Sequence, residues 1–119
     1  EDLPSDVYFV QRETKKVIEN CIFECVETRE DFLKSLHGFK PDIILSDFSL
    51  PGFDWRTAFS LAREQYPRIP FVIVTGSTSP HIMDECMSAG VTDCISKLHI
   101  KKLGPVILRE LNLPGEMAQ

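Results

Sequence analysis

A chain of 119 residues suits one domain, and at 43% hydrophobic and 26% charged it can bury a core rather than remain disordered. Its net charge of −5, with no Lys/Arg run longer than two residues, argues against a nucleic-acid surface. No apolar stretch approaches the ~18 residues of a membrane span.

The first helix is expected to be capped at Ser5 or Asp6 and to run to about Glu19. Val7, Val10, Val17 and Ile18 recur at helical spacing, with Thr14 interrupting the stripe. Cys21 to Glu27 is rich in β-formers and reads as a strand. Thr28-Arg29-Glu30-Asp31 resembles a capping box, after which Phe32, Leu33 and Leu36 share a helix face and Gly38 ends the helix. The apolar run Ile43 to Leu45 then stops at a carboxylate, Asp47, and Pro51-Gly52 punctuates the turn beyond it. Asp54 caps a third helix with Trp55, Phe59, Ala62 and Tyr66 on one side, closed by Pro67.

Phe71-Val72-Ile73-Val74-Thr75 is a second continuous apolar strand ending in a polar residue. Ser79-Pro80 opens a fourth helix in the favoured order of cap then proline, and Ala89-Gly90 stops it. Asp93 to Ser96 is a short strand that ends at Lys97. One helical turn from Ile100 should then kink or restart at Pro105 and continue to about Leu111. Residues 113–119 read as a linker or tail.

Strict alternation of helices with continuous apolar strands predicts a parallel sheet covered on both faces and, with right-handed crossovers, a doubly wound α/β fold. A carboxylate at the C-terminal end of such a strand sits where open α/β sheets place their ligands. Taken singly, Asp47 reads equally well as a loop carboxylate, Lys97 as a solvated lysine and Thr75 as a strand terminus. Their placement at successive strand ends favours a site. The cysteines, Cys21, Cys25, Cys86 and Cys94, form no C-x-x-C pair and have no zinc spacing; they read as small buried hydrophobes of a reducing cytoplasm.

At this point the chain resembles the receiver domain of two-component response regulators, the chemotaxis-type, flavodoxin-like module. Five matches carry the resemblance: Glu1-Asp2; Asp47 ahead of Leu50-Pro51-Gly52; Thr75-Gly76; Ala89-Gly90; and Lys97, 22 residues after Thr75. It implies a five-stranded parallel sheet of order 2-1-3-4-5, with residues 1–112 as the receiver. The family's first strand precedes the acidic pair and is not in this sequence, so about 5–8 further residues are expected ahead of Glu1, in line with ordinary strand length.

The resemblance also implies the chemistry. Asp47 receives a phosphoryl group from a phosphohistidine of a sensor histidine kinase or phosphotransfer protein. A carboxylate is a competent nucleophile for an acyl phosphate, and phosphoryl transfer requires positioning and charge neutralisation above all. Mg²⁺ suits such a site: its ligands would be Glu1, directly or through water, together with Asp2, Asp47 and the Ser49 carbonyl. Lys97 pairs with phosphoryl oxygens and Thr75 donates its hydroxyl to one. The state change then passes to the face of the fourth helix, fifth strand and fifth helix, which also serves homodimers. A covalently linked output or sensor domain is implied. Neither nucleic acid nor membrane is a direct partner.

Two positions depart from the pattern. Cys94 stands three residues before Lys97, where many receivers carry a switch aromatic, and Leu98 replaces the common proline after the lysine. These departures motivate an alternative: a receiver-like interaction module that ignores phosphate. A dehalogenase-type phosphatase fits less well, because it needs a second Asp where Ser49 stands.

Overall fold

The computed structural model describes residues 4–48, 54–76 and 79–111. Helix α1 (Pro4–Val17) is followed by α2 (Arg29–Gly38), β1 (Ile44–Asp47), α3 (Trp55–Gln65), β2 (Phe71–Thr75), α4 (Pro80–Ala89), β3 (Asp93–Ser96), a 3-10 segment (Lys97–Lys102) and α5 (Leu103–Leu111). The strands form one parallel sheet in the order β1-β2-β3. Register runs from Ile44 opposite Phe71 to Asp47 opposite Val74, and from Val72 opposite Asp93 to Thr75 opposite Ser96.

Why β2 is central follows from its composition. All five of its residues are buried. Phe71 and Ile73 face one layer with Phe32, Leu36, Trp55, Ala58, Ala62, Cys86, Val91 and Cys94. Val72 faces the other, with Val10, Ile95, Leu103, Val106 and Ile107. Each buried Val, Ile or Phe contributes roughly 1.5–3 kcal/mol, so a strand apolar on both faces is stable only between two helical layers. α2, α3 and α4 supply one layer; α1 and α5 supply the other.

Local chemistry fixes several ends. The Thr28 hydroxyl oxygen accepts from the Asp31 amide at 3.1 Å, and an Asp54 carboxylate oxygen accepts from the Arg56 amide at 3.3 Å. Both are caps at the expected positions. An Arg56–Glu85 ion pair joins α3 to α4. Buried Glu13 accepts from Lys16 Nζ at 2.9 Å. That hydrogen bond holds its carboxyl below the ordinary range, against the upward pull of burial.

Gly90 terminates α4 at φ 101°, its amide bonded to the Met87 carbonyl at 3.1 Å. An added Cβ would meet only Phe59 Cζ, at 3.8 Å, an ordinary contact. The cost of Gly90→Ala is therefore conformational, about 1 kcal/mol. A lowered urea midpoint with an unchanged slope checks it.

Two expectations require correction. Cys21 to Glu27 does not form a strand. β1 pairs with β2 alone, and no described strand lies between β1 and this segment. Strand composition without a ladder partner leaves the segment irregular. Among the described residues the sheet therefore has three strands, β1-β2-β3.

α2 does end at Gly38, as expected, but Gly38 is not left-handed. Lys40 takes positive φ instead, at 56°, and its amide reaches back to the Ser35 carbonyl at 3.1 Å. Nor does the last helix restart at Pro105. The irregular residue is His99 (φ −121°, ψ 40°), and α5 runs unbroken from Leu103. Pro105 is its third residue, where an amide has no intrahelical acceptor to lose. Gly104 beside it permits close approach to α1, since a Cβ there would lie 3.0 Å from Val17 Cγ1.

Candidate functional site

The site is built at the C-terminal edge of the sheet, where each strand exchanges an apolar body for a polar end. Asp47 is the last residue of β1, Thr75 the last of β2, and Lys97 follows β3 directly. Parallel register brings the three ends together: Asp47 lies opposite Val74, and Thr75 lies opposite Ser96. Separations of 28 and 22 residues in sequence become one cluster.

Asp47 and Thr75 are only 3% and 2% exposed. The Lys97 ammonium donates to Asp47 Oδ2 at 2.9 Å, and its side chain retains 23% exposure. A carboxylate that buried needs a cation or donors to hold its charge, and Lys97 supplies the cation. The residual exposure of Lys97 lets the same ammonium serve an anion approaching from solvent. Ser96 Oγ accepts from the Leu98 amide at 3.2 Å, turning the chain so that Lys97 points back over the edge. Leu98 itself is 73% exposed.

Glu1, Asp2 and Ser49 lie outside the described residues. Among those described, Asp47 ends β1 at the edge, and no group of three His, Cys, Asp or Glu side chains is placed to hold a metal. A single buried carboxylate oxygen at a polar edge is the kind of hard donor that Mg²⁺ takes alongside waters and carbonyls.

Two features went unread in the sequence. Arg12 of α1 stacks over Phe9, 5.0 Å from the ring centroid, and both line a small hollow with Lys97 and Ile100. Their i and i+3 spacing was the available signal. The second is a cluster of three sulfurs. Cys94 donates to Met83 Sδ at 3.3 Å, and its thiol also hydrogen-bonds that of Cys86. Burial, then the neighbouring Cys86, pushes the Cys94 thiol up to about 12. Burial likewise raises that of Cys86. Both thiols stay neutral and packed, so the residue three before Lys97 is anchored inward rather than poised at the edge.

Comparison with known proteins agrees with this geometry. The model of the response regulator receiver domain matches residues 5–104. The DNA-binding transcriptional regulator NtrC of Proteus hauseri is 29% identical over 79 residues, 66% of this chain and 17% of its own length, so the chain spans under a fifth of that relative. A CheY-like response regulator receiver domain protein from Methanospirillum hungatei superposes with a TM-score of 0.76 at 19% identity, over 94% of this chain and 89% of its own. The phosphorylated cyanobacterial phytochrome response regulator RcpA gives a TM-score of 0.73 at 20% identity, over 92% and 87%. Matched over most of its length and carrying a buried carboxylate, a threonine and a lysine at one sheet edge, the chain belongs to the response regulator receiver domain family of two-component signalling.

Proposed function

We propose that this domain is a phosphoacceptor of a two-component phosphorelay, with Asp47 as the acceptor. The observation that carries the reading is the Lys97 ammonium 2.9 Å from the Asp47 carboxylate, beside Thr75, on three adjoining strand ends. An Asp47 oxygen attacks the phosphorus of a kinase phosphohistidine. The new O–P bond forms as the P–N bond breaks, and the electron pair returns to the imidazole. Charge spreads over the equatorial oxygens, so positioned cations and donors do most of the work. Lys97 pairs with one such oxygen as Asp47 becomes esterified, and Thr75 donates its hydroxyl to another.

Asp47 would hold Mg²⁺ with Glu1, Asp2 and the Ser49 carbonyl; when bound, the ion neutralises charge on the transferring group. The donor is a sensor histidine kinase or phosphotransfer protein, and the response passes to a covalently linked output or sensor domain through α4, β3 and α5. Residues 1–112 form the receiver and 113–119 the connection beyond it. A cytoplasmic setting follows from that partnership.

Coupling runs through the loop after Thr75 and the start of α4, because Cys94 is held by Met83 and Cys86 and offers no ring to move. The test combines labelling by a small phosphodonor in Mg²⁺ with beryllofluoride-induced changes in amide exchange across residues 76–90. Lys97→Ala is expected to label about 10²-fold more slowly and to lose the exchange response. Thr75→Ala should label but respond weakly, and Cys94→Ala should behave as the parent does. A parent that takes no label with Mg²⁺ present overturns the reading in favour of a phosphate-independent interaction module.

A further inference from the structure

The three clustered sulfurs take no part in the phosphoryl chemistry. Met83 and Cys86 stand one turn apart on α4, at the i and i+3 spacing that places two side chains on one helix face. Cys94 reaches them from β3, in register with Ile73 of the central strand. Its Sγ lies 3.3 Å from Met83 Sδ, and its thiol hydrogen-bonds that of Cys86. Cys86 is 0% and Cys94 6% exposed, in the layer that holds Phe71, Ile73 and Val91. Met83 packs partly buried at the margin of that layer, so its thioether is the way in from solvent.

Sulfur chemistry narrows what such a cluster can hold. Thiols and thioethers are weak hydrogen-bonding groups, but they are strong donors to a soft metal ion. Thiolate and thioether sulfur select Cu(I) among the first-row metals. Zn²⁺ takes Cys, His or carboxylate ligands and closes its structural sites as a tetrahedron. Among the described residues, no His, Asp or Glu completes a metal-holding group with these two cysteines.

Size and charge agree. Three sulfurs, each about 2.3 Å from a metal in their plane, stand about 4 Å apart. Cys94 and Met83 start at 3.3 Å, so an opening of about 0.7 Å admits the ion. Methionine, with three rotatable bonds, fills irregular space and yields that much. Burial raises the Cys86 thiol, while the Cys94 hydrogen bond and the Arg56 charge pull it down. Two thiolates and one Cu(I) leave a single net negative charge, which the Arg56 guanidinium, paired with Glu85, helps to offset.

We propose that Met83, Cys86 and Cys94 form a buried three-sulfur site for Cu(I). On binding, two copper–thiolate bonds and one copper–thioether bond form. The two S–H bonds break, and both protons pass to solvent. Copper stays Cu(I) and no sulfur is oxidised. The ion ties α4 to β3 by metal bonds in place of weak thiol contacts. The site does not depend on Asp47 accepting phosphate.

The test titrates the reduced chain, without oxygen, against Cu(I) held by a coloured Cu(I) chelator. Cys21→Ser and Cys25→Ser are introduced first, to remove the two thiols outside the cluster. This parent is expected to withdraw one equivalent of copper. Cys86→Ser and Cys94→Ser should each weaken binding by at least about 100-fold, and Met83→Leu, which keeps the volume, by about 10-fold. X-ray absorption at the copper edge should give three sulfurs at about 2.3 Å in the parent and two in Met83→Leu. Helical circular dichroism checks the fold; where a serine variant loses it, Met83→Leu and the absorption spectrum decide. Failure to draw copper from the chelator overturns the proposal, as does nitrogen or oxygen ligation in the spectrum. So does undiminished binding in Met83→Leu or in a folded serine variant, and so does Zn²⁺ binding at equal affinity.

Discussion

Asp47→Asn is expected to abolish phosphoryl labelling while leaving the fold in place. The amide nitrogen and oxygen of asparagine lack the charge that makes a carboxylate a phosphoryl acceptor. The cost in stability should be small. Breaking a fully buried ion pair costs about 3–5 kcal/mol, but Lys97 is 23% exposed and can turn to water when its partner is neutralised. A loss nearer 1 kcal/mol is expected, in the range of a single hydrogen bond. Intact mass after exposure to a small phosphodonor in Mg²⁺ reads the first effect, and a urea titration reads the second. Undiminished labelling of Asp47→Asn would move the acceptor to another side chain.

Phe71→Ala should cause the largest loss of stability from a single truncation, about 3–5 kcal/mol. Phe71 is 1% exposed, opens the central strand, and meets Phe59 edge-on at a centroid distance of 5.3 Å. Its amide also donates to Thr92 Oγ1 at 2.9 Å, so the backbone around the hole is tied and cannot collapse into it. Against a total stability of about 5–15 kcal/mol, such a loss leaves much of the population unfolded under mild denaturant. Leu98→Ala, with its side chain in solvent, should stay within about 0.5 kcal/mol of the parent. Chemical denaturation of the two side by side checks the contrast.

The central strand and the polar strand ends that carry the candidate site were legible for the same reason. Phe71 to Thr75 and the run into Asp47 are apolar on both faces and end in polar groups, a pattern that only a covered parallel strand satisfies. Thr28 and Asp54 were legible as caps because capping is local chemistry. Cys21 to Glu27 misled because a strand is a property of a pair, and β-propensity describes one member only. Gly38 marked the end of α2, although the αL residue is Lys40, two positions later; Pro105 misled because it was judged by residue type alone, and a proline in the first turn interrupts nothing. The three-sulfur cluster was hidden for a different reason: Met83, Cys86 and Cys94 come from α4 and β3, and only the fold brings them together. Glu1, Asp2 and Ser49 fall outside the described residues.

Trp55 is the single tryptophan of the chain. It is buried at the start of α3, with its ring tilted against Phe48 at a centroid distance of 6.1 Å. Phe48 directly follows Asp47. All indole emission from this chain therefore originates against the ring of the residue that follows Asp47. The chain carries an intrinsic optical reporter: displacement of the backbone after Asp47 moves the Phe48 ring, alters the packing around the indole, and shifts or quenches its fluorescence without any attached dye.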